Sequence, residues 1–246
     1  MSNETAVPTT AEGAVVPTQE NAVTEKPKNY ITLILENMKA DFEAVNDGVE
    51  VDFVRMGEWL FVDKKGNFVD KAEKTEKGKG ISYGDHIDIV IGQGEKRWSV
   101  WGAEKSPEEG QLIVAETKLE VAQAALSSWL ESNPQAAERY SLESLELRYM
   151  CMVVPVASLG PDNDFPDVYI MGFSPTATYA FGNYTMAIFK GKFKGIDIPA
   201  RTGVAKIVTR LTTSEKQGAG STSYIGIDFD AVGLFKPEEY GINAEA

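Results

Sequence analysis

From Gly84 to Trp101 the chain reads GDHIDIVIGQGEKRWSVW, and Ile87, Ile89 and Ile91 alternate with polar or smaller neighbours. A two-residue repeat turns one face of a strand toward a core and the other toward water. The same alternation recurs at Leu145, Leu147, Tyr149, Cys151 and Val153 in LELRYMCMVV. VEVDFVRMGEWLFVD and the following KKGNFVDK predict strands on both sides of a hairpin around Lys65-Gly66, and DVYIMGF reads as another strand. GVAKIVTRLTT and SYIGIDFDAVGLF flank the Gly- and Ser-rich SEKQGAGST, which predicts a long antiparallel hairpin. Short strands with few helices between them specify a mainly β fold, an antiparallel barrel or sandwich with helical additions.

Three segments break this rhythm. Ile31, Ile34, Leu35, Met38, Phe42 and Val45 fall on one helical face, so a helix is predicted near 30–45, stopped by Asn46-Asp47-Gly48. Leu119, Ala122, Leu126, Trp129 and Leu130 predict a second helix near 116–131, closed by Asn133-Pro134. Ser174-Pro175 supplies an N-cap and a first helical residue, so a short helix should run through Tyr184 and Ile188. Residues 1–28, rich in Thr, Glu, Ala, Pro and Val without periodicity, are expected to be a disordered tail. Residues 29–235 then form one barrel domain, and 236–246 a short acidic tail.

No apolar run approaches the roughly 20 residues that span a bilayer, and no basic segment leads into an apolar one at the N-terminus. The expected location is the cytoplasm, without a membrane partner. Cys151 is the single cysteine, which excludes an intrachain disulfide and any zinc site built from several cysteines.

Catalytic groups are scarce. The one histidine, His86, sits in an alternating strand and reads as structural or solvent-facing. There is no phosphate-binding Gly-x-x-x-x-Gly-Lys-Ser/Thr loop and no Gly-x-Ser-x-Gly elbow. Asp85 with Asp88, Asp162 with Asp164 and Asp167, and Asp228 with Asp230 are the carboxylate groupings. Asp228 and Asp230 share a strand face and could hold a divalent cation, although acidic pairs on a wet strand face are commonplace. The expectation is a protein that is not an enzyme and uses no cofactor.

The net charge of -13 hides an uneven distribution. Across 184–216, Lys190, Lys192, Lys194, Arg201, Lys206, Arg210 and Lys216 face only Asp197 and Glu215. From 226 to 246 five carboxylates face only Lys236. A basic stretch inside an acidic protein can follow a phosphate backbone while the remainder limits indiscriminate sticking; a solvated lysine face is the competing reading. Aromatics are threaded through the cations: Trp59, Phe61 and Phe68 beside Lys64 and Lys65, Trp98 and Trp101 beside Lys96 and Arg97, and Phe189 and Phe193 among Lys190, Lys192 and Lys194. Rings on a β-surface stack unpaired bases while neighbouring cations hold phosphates. Each ring can equally be core, since large rings in strands usually are. Strand alternation puts Trp98 and Val100 on one face and Trp101 on the other.

The RMGEWLFVDKKGNFV hairpin, the IDIVIGQGEKRWSVW strands, DVYIMGFSPTATYAFGNY and the AKIVTRLTTSEKQGAGSTSYIGIDFDAVG hairpin together resemble bacteriophage single-stranded DNA-binding proteins. That resemblance covers about 50–235 and implies an OB-like β-barrel with peripheral helices. It also implies a protein that coats exposed single strands during phage replication and recombination, and an acidic C-terminus that recruits replication or recombination partners. Here the tail, KPEEYGINAEA, is short and ends in alanine. The expected DNA-binding set is Trp59, Phe61, Lys64, Lys65, Phe68, Lys96, Arg97, Trp98, Trp101, Lys190, Lys192, Lys194, Arg201, Lys206 and Arg210. Two other classes stay open. An acidic β-rich virion or assembly protein fits the strand pattern, and a metal-dependent nuclease would use the carboxylate pairs. Oligomeric state is not legible.

Overall fold

The computed structural model describes residues 58–70, 81–160, 166–193, 195–218 and 223–241, together with Glu36, Ala40 and Ala44. The expected N-terminal tail lies outside these residues, as does most of the first predicted helix; Glu36, Ala40 and Ala44 within it are helical and exposed. The strands are β1 (Glu58–Val62), β2 (Phe68–Asp70), β3 (Ser82–Gly84), β4 (His86–Trp101), β5 (Leu112–Glu116), β6 (Glu146–Pro155), β7 (Tyr169–Phe173), β8 (Ile207–Gln217) and β9 (Ser223–Leu234). Two helices are described in full, α1 (Leu119–Ser132) and α2 (Pro175–Phe189).

The strands form one curled sheet, a half-barrel in the order β3-β2-β1-β7-β6-β4-β8-β9, with β5 added to β4. β4 is the spine: it pairs with β8 through His86–Val90, with β5 through Trp98–Trp101, and with β6 along most of its length. β3 runs through Asp85 directly into β4, which bends the sheet back on itself. Thr213 Oγ1 donates to the Gly66 carbonyl at 2.6 Å, tying the β1–β2 turn to β8. That turn forms around Asp63, whose carboxylate accepts from the Lys65 and Asn67 amides, while Gly66 takes φ 83, open to glycine at low cost.

One feature corrects the antiparallel expectation. β1 pairs with β7 in parallel, so the sheet is mixed. Parallel neighbours need a long crossover, and here the whole chain between β1 and β7 supplies it.

The main core fills the concave side, where Leu60, Phe68, Ile87, Ile89, Ile91, Cys151, Val153, Met171 and Phe173 meet Ala177, Phe181, Tyr184 and Ile188 of α2. A second cluster seats α1 against Val100 and Val114 through Ala122 and Leu126. On the convex side Val90, Val154 and Val208 are covered by Phe235, which stacks on Tyr240 at 5.6 Å. The start of the predicted acidic tail is therefore folded, with a short 3-10 helix at Pro237–Tyr240. No described helix is long and apolar enough to cross a membrane.

Candidate nucleic-acid interface

The curl sorts the predicted rings into different environments. Phe68 is fully buried in the main core, so it is removed from the set of surface platforms. Its strand, β2, lies between β1 and β3 and points that ring inward. Trp98 packs with Val100 against the α1 cluster, and Trp101 emerges on the opposite side, as the alternation requires. Trp101 meets Trp59 edge-on at 4.8 Å and Phe61 at 5.9 Å, so rings from two sequence clusters converge. Trp59 in turn rests against the buried pair Ala115 and Met150. All three rings are half-buried and spend much of their surface on each other. Among the described residues the buried Trp101 indole Nε1 has no hydrogen-bond partner, a cost of about 1 to 3 kcal/mol that the ring's packing must offset.

The predicted cations divide just as sharply. Arg210 forms a two-point pair with Asp88 at 2.7 and 2.8 Å. Arg97 is held by Glu95 and donates to the Ala115 carbonyl at 3.1 Å. Lys64 is bonded to Glu104. A phosphate would have to displace a carboxylate at each of these positions. Although hydrogen bonds from Asn67, helped by the charge of Lys65, hold the Asp63 carboxyl below its usual range, Lys65 and Lys96 are exposed and neither is in an ion pair among the described residues. The same holds for Lys190, Lys192, Arg201 and Lys206, which belong to one short stretch of chain. Lys194 lies outside the described residues.

Helix α2 organises that stretch. Ser174 Oγ accepts from the Ala177 amide at 3.3 Å with Pro175 at the first turn, the cap expected from sequence. The helix carries no charged residue and buries Ala177, Phe181, Tyr184 and Ile188. Its other side leaves Tyr179, Met186 and Phe189 exposed, at 74%, 50% and 53% of their surface. Offsets of seven and then three residues put these on one face. At the C-terminus Lys190 caps the helix and Gly191, at φ 62, turns the chain. A Cβ there would lie 3.1 Å from the Ile198 carbonyl oxygen. Ile198 is anchored in the core, and the Arg201 amide donates to the Phe189 carbonyl at 2.7 Å. The loop thus returns to the helix end and sets Arg201 beside Phe189, Lys190 and Lys192. Cations at a helix C-terminus also complement its dipole, which explains a lysine there but not the exposed ring.

Phe193, threaded through the same lysines, turns inward onto Tyr184 at 5.6 Å. Tyr179 and Met186 were not singled out from sequence; the signal was the absence of any charge in PTATYAFGNYTMAIF, which leaves apolar side chains for both faces. Of the two carboxylates offered for a metal, Asp228 accepts from Ser214 and Lys216, each at 2.6 Å, whereas Asp230 lies in register opposite Arg210, which bonds Asp88. His86 is exposed at the start of β4, with Nδ1 2.8 Å from Asp85 Oδ1. Compared with known protein families, curated proteins and solved structures, the chain finds no match.

Proposed function

We propose that this is a single-stranded DNA-binding protein that coats exposed strands with little sequence preference, on a half-barrel that serves as an OB-like scaffold. The observation that supports this reading is Phe189, more than half exposed and bordered by Lys190, Lys192 and Arg201 without carboxylate partners among the described residues. An exposed ring offers a face to any unpaired base, while the cations neutralise flanking phosphates. Tyr179 lies ten residues earlier on the same face, about 15 Å away along the axis, and extends the track. Cytoplasmic coating of strands during phage replication and recombination follows from this reading. The Trp59, Phe61 and Trp101 cluster then supports the sheet, and Lys64, Arg97 and Arg210 are removed from the phosphate contacts.

The test is titration with poly-dT at several salt concentrations. Single-strand binding should weaken with salt by a slope of roughly 0.7 per phosphate neutralised. Reversing Lys190, Lys192 and Arg201 together to Glu should flatten the log-log slope by about 2. Failure to bind poly-dT, or an unchanged slope in the variant, sinks the proposal.

A further inference from the structure

β9 is an edge strand twelve residues long, and among the described residues its only ladder is with β8. Among the described residues no backbone hydrogen bond reaches its outer side. An edge of that length offers a row of unpaired amides and carbonyls to an incoming strand. The two faces of β9 say what that strand should carry. On one face Ile227 and Phe229 pack against the main core yet stay partly exposed, and Ile225 beside them is 38% exposed. The other face presents Asp230 and, beside it, Asp228, which is already bonded to Ser214 and Lys216.

The sheet itself shows how a cation sits next to that acidic face. Arg210 of β8 lies in register between Asp88 of β4 and Asp230 of β9, and it bonds Asp88 with both nitrogens. Arg210, the cation opposite Asp230, is thus bonded to a second carboxylate, and Asp230 remains exposed. A cation arriving from the open side would give Asp230 a partner of its own. A second copy of the chain fits poorly. Antiparallel self-pairing centred on this region sets Asp228 and Asp230 against each other, and like charges directly opposite are destabilising.

We propose that the outer edge of β9 docks an extended segment of a partner protein that alternates cationic and apolar side chains and joins the sheet as a further strand. The cations lie beside Asp228 and Asp230, and the apolar side chains continue the face of Ile225 and Ile227. Main-chain bonds supply affinity and the alternating side chains supply selectivity. The proposal does not rest on DNA binding at the end of α2.

The probe is a synthetic peptide of alternating Arg and Val, compared with its Glu and Val counterpart, and the readout is amide hydrogen exchange along the full-length chain. The Arg peptide should slow exchange at β9 amides that β8 leaves free, and the Glu peptide should not. Asp228→Asn with Asp230→Asn should weaken the Arg peptide about threefold to thirtyfold. Asp230→Asn alone keeps the Asp228 pairs with Ser214 and Lys216, so it reports on docking with the local fold intact, and it should retain part of the loss. Protection away from β9, equal binding of the two peptides, unchanged affinity in both variants, or self-association through β9 without peptide each overturns the proposal.

Discussion

Gly94 stands where β4 meets β6, opposite Cys151. A Cβ there would come within 2.6 Å of the Cys151 Cβ and 2.7 Å of the Tyr149 hydroxyl. Gly94→Ala should cost about 1 to 3 kcal/mol through overpacking, seen as a lower urea midpoint with an unchanged denaturant slope. At this scale the sequence was legible where periodicity ran long. The alternation in KRWSVW separated Trp98 from Trp101, and the structure keeps them apart. Phe68 was not legible, because a strand of three residues has no period to read and its burial comes from the curl. Nor was the neutralisation of Arg210 by Asp88, residues 122 apart in sequence. Cations look alike in a sequence; only the fold decides which meet a carboxylate.

Among the elements, α2 and β5 behaved differently for physical reasons. Ser174-Pro175 marks a helix start by backbone chemistry that needs no tertiary partner, and α2 begins there. LIVAE carries five residues of weak pattern before a strong helical period, and the sequence analysis predicts no strand there. That strand exists because β4 offers it an edge. The two faces of α2 give a paired prediction. Phe181→Ala, from the face on the core, should cost about 3 to 5 kcal/mol in equilibrium unfolding. Phe189→Ala, from the open face, should change stability by less than about 0.5 kcal/mol and, on the DNA reading, weaken poly-dT binding by roughly 1 to 3 kcal/mol. If Phe189→Ala destabilises the fold and leaves binding alone, its ring belongs to packing rather than recognition.

For the molecule as a whole, curling one sheet around its main core buries groups that ionise only at high pH. Burial pushes the Tyr149 hydroxyl up to about 12, helped by the nearby Cys151 and Glu95. Burial likewise raises Tyr184, against the opposing hydrogen bond with Thr209. Tyr169 is raised by burial and by its bond with Tyr83, and Cys151 by burial alone. A folded pKa raised above the unfolded one means that the unfolded chain gives up its proton first. The stability from these neutral tyrosines is fully present below their ordinary value of 10.0 and is lost as pH rises toward about 12 and beyond, while the contribution of Cys151 begins to fall from its own ordinary value of 9.0. The protein should therefore unfold cooperatively in alkali, with tyrosinate absorbance and loss of far-ultraviolet circular dichroism appearing together above about pH 10. Tyr149→Phe should make the fall in stability with pH shallower across that window. The interpretation fails if the whole tyrosine signal titrates near 10 while the circular dichroism stays native, for then the core admits hydroxide without opening.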